Sequence, residues 1–94
     1  MQYVLVIHKV EDYEKWKSIY DEHTDARRDN GSKGAHVLRN ADNPKEVVLL
    51  FEWDNLDNAR KFYESQDLRD TMQNAGVMGK PEIRFLEGIG KTSA

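Results

Sequence analysis

The chain opens on an apolar stretch, Tyr3 to Val10, dominated by Val, Ile and Leu. Such residues pack well on a pleated backbone, so this stretch is predicted to be a strand. Asp12 follows as an N-cap, with Lys15 where a capping box would place Glu or Gln. The period then becomes helical. Tyr13, Trp16, Ile19, Tyr20, His23 and Arg27 fall on one stripe, and Glu14, Lys15, Ser18, Asp21, Glu22 and Asp25 lie opposite. One helix is predicted, ending near Asn30-Gly31, where glycine can take the left-handed position after the last turn.

Gly34 to Asn40 reads as a second strand, Ala41-Asp42-Asn43-Pro44 as a turn, and Glu46 to Trp53 as a third strand. The next helix begins between Asp54 and Asp57 and turns Leu56, Ala59, Phe62 and Tyr63 inward. Ser65-Gln66-Asp67 marks a break. Asp67 is then expected to cap a short helix carrying Leu68, Thr71, Met72 and Ala75, with Gly76 ending it. Pro81 opens a last strand, Glu82 to Glu87, and 88–94 reads as a frayed tail. The order is βαββαβ, an α+β ferredoxin-like arrangement with a four-stranded antiparallel sheet, its first and third strands central. Val4, Val6, Val48 and Leu50 leave both central strands apolar on both faces. Two helices cover only one face of such a sheet, and a wet face would alternate. A second copy is therefore expected on the other face, giving a sheet-to-sheet homodimer; the plainer alternative is that short strands are simply hydrophobic.

Length and composition narrow the classes. Ninety-four residues make one domain, 1–94, small enough that a partner adds usefully to its buried surface. With 14 Lys+Arg against 17 Asp+Glu, the net charge of -3 argues against nucleic-acid binding and against attraction to an anionic membrane. The chain has no Cys, which excludes disulfides, thiolate metal sites and cysteine nucleophiles. The first apolar run lacks the basic flank, length and cleavage site of a signal peptide, so a cytoplasmic location is expected. Gly88-Ile89-Gly90-Lys91-Thr92 resembles the end of a phosphate-binding loop, but Phe85 stands where that loop needs its first glycine. Asn30-Gly31-Ser32 matters as a glycosylation acceptor only in a secreted protein, and Arg27-Arg28 lies too far along the chain for an export signal.

Several side chains are candidates for chemistry. His23 and Arg27 are four apart on the inward stripe, one above the other. A charged group there needs a partner or a cavity. The functional reading makes His23 a general base and Arg27 the holder of an anionic or phenolate oxygen. The plainer reading puts both at a helix end in solvent, with Arg27 paired to an acid. Trp16, Tyr20, Trp53, Phe62 and Tyr63 form an aromatic set, most simply a core, alternatively a cavity with polar tips for a flat aromatic ligand. His8 shares a face with Val4 and Val6 and is assigned to the dimer contact; His36 lies on an edge strand. The His spacing offers no metal site. The first strand-to-helix turn, Lys9-Val10-Glu11-Asp12, has no glycine, which disfavours a nucleotide cofactor. No cofactor is expected.

Two sets of residues resemble the antibiotic biosynthesis monooxygenase-like superfamily. One is Val10-Glu11-Asp12-Tyr13, Trp16-Lys17, Tyr20, His23, Arg27-Arg28 and Gly31-Ser32. The other is Val47 to Trp53, Ala59-Arg60-Lys61-Phe62, Asp67-Leu68-Arg69 and Ala75-Gly76-Val77. The resemblance runs from Met1 to about Glu87 and implies a dimeric α/β barrel with a ligand pocket between sheet and helices. It implies either a cofactor-independent monooxygenase acting on an aromatic compound or a non-catalytic binding or dimerisation module. In the first case the substrate itself activates oxygen, once His23 has made its anion and Arg27 has stabilised it. Haem-degrading members carry an Asn on the first strand and a His on the second helix. This sequence has neither, although Trp53 matches their Trp.

Overall fold

The computed structural model describes all 94 residues, Met1 to Ala94. Strands β1 (Gln2–Val10), β2 (Ser32–Arg39), β3 (Glu46–Trp53) and β4 (Val77–Glu87) form one antiparallel sheet in the order β2-β3-β1-β4. Helices α1 (Tyr13–Glu22) and α2 (Thr24–Asn30) lie between β1 and β2, and α3 (Leu56–Tyr63) and α4 (Gln66–Asn74) between β3 and β4. This is the expected α+β ferredoxin-like arrangement, with β1 and β3 central.

Alternation in the central strands assigns their faces. Val4, Val6, His8 and Val10 of β1 and Val47, Leu49, Phe51 and Trp53 of β3 are buried beneath the helices. Leu5, Ile7, Val48 and Leu50 point the other way, to a face that no helix covers. One row of that open face runs His36, Leu50, Leu5, Arg84, and the next Leu38, Val48, Ile7, Glu82. His8 therefore belongs to the helix side, not to the dimer contact on the open face that the sequence suggests. It does share a face with Val4 and Val6, but that face is the covered one.

The single helix expected from Asp12 to Asn30 is two, broken at His23, whose φ of -91° and ψ of 8° leave the helix well. Side chains draw the carbonyls out of the ladder there. Thr24 Oγ1 donates to the Asp21 carbonyl at 2.7 Å, and Arg27 Nη1 donates to the Tyr20 carbonyl at 2.8 Å. The second helix ends at Gly31, left-handed with φ 117°, as expected. Ser65, not Asp67, caps α4, its hydroxyl accepting from the Leu68 N–H at 3.2 Å, so the helix starts earlier than the sequence predicts. β4 also starts earlier, at Val77, because it passes Pro81 as a bulge: Ile7 pairs with Glu82 but Lys9 with Met78, and Gly79, Lys80 and Pro81 have no place in the register. Proline is tolerated there because β4 is an edge strand. Residues 88–94 form neither helix nor strand.

Candidate functional site

A cavity of about 50 Å³ lies between the sheet and the helices. Its floor is Val6 and His8 of β1 with Leu49 and Phe51 of β3; its walls are Trp16, Ile19 and Tyr20 of α1, Phe62 and Tyr63 of α3, and Leu68, Thr71 and Met72 of α4. His23 at the helix break and Arg27 of α2 complete one end. By itself it has room for on the order of three waters. It adjoins two hollows. One, of about 230 Å³, shares Tyr20, Arg27 and Phe51 with it and is bordered by Arg28 and Lys33. The other, of about 560 Å³, shares Tyr63, Leu68 and Met72 and runs along the β4 bulge at Gly79, Lys80 and Pro81.

Aromatic contacts order the wall. His8 meets Trp16 edge-on at 5.6 Å between centroids, Trp16 stacks on Tyr20 at 4.9 Å, and the Arg27 guanidinium sits 3.7 Å above the Tyr20 ring. Tyr20 is thus held between an indole and a cation, an arrangement favoured by its quadrupole. Beyond these, Phe62 packs edge-on against Tyr63 at 5.3 Å and lies 6.2 Å from His23.

Arg27 is only 9% exposed and forms no ion pair with a carboxylate. Its hydrogen bonds go to the Tyr20 carbonyl and, at 3.2 Å, to Thr24 Oγ1. Burial lowers its pKa, an effect opposed by the nearby Tyr20 and Tyr63 phenols and by the Asp21 carboxylate, which stands beyond ion-pair distance. A guanidinium has five donors, so several remain to face the cavity or the hollow beside it. The solvated, acid-paired alternative for Arg27 is not what the structure contains.

His8 is 5% exposed, and neither ring nitrogen has a hydrogen-bond partner. Burial lowers its pKa from 6.5 to about 4, so the ring is neutral near neutral pH. Tyr63 Oη is likewise buried without a partner, and burial raises its pKa. The Trp53 indole N–H is close enough to the Tyr63 oxygen to oppose that rise, but the two do not reach hydrogen-bond geometry. The Tyr20 phenol is also raised by burial, with Arg27 and Lys17 pulling it back.

Of the residues singled out from sequence, His23, Arg27, Trp16, Tyr20, Phe62 and Tyr63 line the cavity together. Trp53 does not: it is 1% exposed and packed against Phe62 and Tyr63, behind the wall. His36 is exposed on the open sheet face, and Glu52 lies on the same face. Arg60 is exposed but its guanidinium lies 4.3 Å from the Phe85 ring. No group of three or more His, Asp or Glu is arranged to hold a metal, and no helix is long and apolar enough to cross a membrane. His8 is the cavity residue that the sequence pattern misplaces. The series Tyr3, Leu5, Ile7 runs on into the charged Lys9, whereas Val4, Val6, His8 runs on into Val10. That contrast marks the second series as the covered one.

No known family profile matches the sequence, and no curated protein sequence does. Solved structures match along nearly the whole chain. A protein from Bordetella bronchiseptica described as an antibiotic biosynthesis monooxygenase superposes with a TM-score of 0.77 at 14% identity, covering 94% of this chain and 96% of that one. One of the same description from Nitrosomonas europaea gives 0.70 at 20% identity, covering 96% and 100%. A monooxygenase from Streptomyces coelicolor, solved in complex with nanaomycin D, gives 0.72 at 18% identity, covering 99% and 91%. At these identities the likeness is one of architecture, and the chain has the fold of the antibiotic biosynthesis monooxygenase-like proteins.

Proposed function

We propose that this chain is an antibiotic biosynthesis monooxygenase-like protein that binds a small aromatic molecule between sheet and helices and oxidises it with molecular oxygen, without a cofactor. The observation that carries this reading is the convergence, on one aromatic-lined cavity, of His23 and a buried Arg27 that forms no ion pair. His23 takes a proton from an acidic C–H or O–H of the ligand. Arg27 stabilises the resulting oxyanion in a site with little water. That electron-rich anion reduces oxygen, a C–O bond forms, and loss of water converts a CH₂ group to a carbonyl: one O₂ enters, one oxygen atom stays, the other leaves as water. Trp16, Tyr20, Phe62 and Tyr63 supply an aromatic lining for a ring. The likeness to a structure holding nanaomycin D supports a ligand in such a fold.

The cavity volume favours a second reading. About 50 Å³ is far below the ~300 Å³ or more of ordinary ligand pockets. A ligand must therefore extend into the adjoining hollows, or the chain is a non-catalytic binding or dimerisation module. The open sheet face bears on both readings. Tyr3, Leu5, Ile7, Val48 and Leu50 run across its centre, and Leu38 and Leu86 are exposed at its sides. A second copy of the chain covers that face in the proposed homodimer.

A thermal-shift screen against anthrones, quinols and flavonoids, followed by oxygen-electrode assays of the hits, tests the reading. A ligand at 100 times its Kd stabilises by about 2.7 kcal/mol, well within detection. The expected result is a hit that consumes oxygen, with oxygen uptake lost in His23→Ala. A hit without oxygen uptake leaves the binding module; no stabilising compound removes the pocket.

A further inference from the structure

We propose that His8 reads the deep end of the ligand, accepting a hydrogen bond from a hydroxyl on the aromatic ring, so that the ligand is polarised: a neutral hydroxyl at His8 and an electron-rich oxygen at Arg27. This rests on the pocket proposed above and names the ligand class it takes.

Three observations converge. First, both imidazole nitrogens are buried and unpartnered while the ring lines the cavity. Buried polar groups are nearly always hydrogen-bonded, so a pair of orphans facing a cavity marks a place where something else supplies the partner. Second, β4 bulges away directly opposite. His8 is the one residue between Gln2 and Val10 without a partner in the β1–β4 register, because Gly79, Lys80 and Pro81 loop out there. Bulges recur beside active sites, where they re-aim a side chain. Third, His8 and Arg27 lie at opposite ends of the Trp16–Tyr20 stack, with aromatic surface between them. Both residues line the one cavity, so a ligand that spans it meets a neutral acceptor at one end and a cation at the other.

The test uses 1-naphthol and 1-methylnaphthalene, which share a shape and differ in the hydroxyl. Binding is followed by calorimetry in wild type, His8→Phe and His8→Gln. Wild type is expected to prefer 1-naphthol about tenfold, the worth of one buried hydrogen bond. His8→Phe keeps the ring against Trp16 and should lose the preference without a lower melting temperature; His8→Gln, which retains an acceptor, should recover part of it. In wild type, ¹⁵N spectra of the three histidines should show one His8 nitrogen moving on addition of 1-naphthol. An undiminished preference in His8→Phe, or a His8 signal that does not move, overturns the assignment while leaving the pocket. If wild type binds neither probe, the pocket fails and this inference with it.

Discussion

A histidine kept neutral by burial makes the fold sensitive to acid. Folding lowers the His8 pKa from 6.5 to about 4, so below pH 6.5 the unfolded chain takes up a proton that the folded chain refuses. The stability this group allows is complete above pH 6.5 and is lost as pH falls toward 4, by up to about 3 kcal/mol. Urea melts should show a midpoint that falls across this window, and His8→Phe should remove that part of the fall. Tyr20, His23, Arg27 and Tyr63 line the same cavity, so the comparison with His8→Phe, rather than the wild-type slope, isolates the group. Arg27 offers the complementary case. It has no carboxylate to strand, and the Tyr20 carbonyl keeps the His23 N–H at 3.2 Å without it. Arg27→Leu should therefore move stability by no more than about 1 kcal/mol in thermal melts, while abolishing binding of anionic ligands. The helical stripe makes His23 and Arg27 legible in the sequence. His8 is legible only through the weaker contrast between Lys9 and Val10 at the end of the strand, because apolar residues on both faces hide which side of the sheet is covered.

Between the elements, the joints carry the discriminating chemistry. Gly31 holds φ 117°, and a Cβ there would run into the Asp54 carboxylate, while the Asp54 backbone N–H donates to the Gly31 carbonyl at 2.9 Å. Gly31→Ala should cost at least about 1–3 kcal/mol by denaturant unfolding, and Asp54→Ala should restore only part, since the backbone strain stays. Ser65→Ala removes the cap of α4 and should cost about 1 kcal/mol. Period-2 and period-3.6 patterns place β1, β2, β3, α3 and α4 to within about two residues, but they miss the first half of β4, which lies beyond the Pro81 bulge. The break at His23 escapes them because it depends on Thr24 and Arg27 side chains reaching specific carbonyls, an effect no periodicity records. The cap of α4 escapes because Ser65 and Asp67 are both competent caps, and only the bond to the Leu68 N–H decides between them.

At the scale of the whole molecule, one face is finished and the other is not. Light scattering should give twice the chain mass, and Leu50→Glu, at the centre of the open face and away from the cavity, should give the monomer with its helices intact by circular dichroism. Apolar residues on both faces of β1 and β3 carry the expectation of a partner, and the structure places Leu5, Ile7, Val48 and Leu50 on the uncovered side. The sheet's two margins tell a different story from its face. β4 is interrupted at Gly79 to Pro81, and β2 shifts register between Ser32 and Gly34, with Lys33 in the interruption. The breaks shorten each rim to a regular run, Gly34 to Arg39 in β2 and Glu82 to Glu87 in β4, so only a short ladder is left for another strand to join. Edge-to-edge growth is therefore expected to be weaker than a face-to-face pairing, which would satisfy itself at two copies, and a concentrated solution should show dimers rather than fibrils by light scattering.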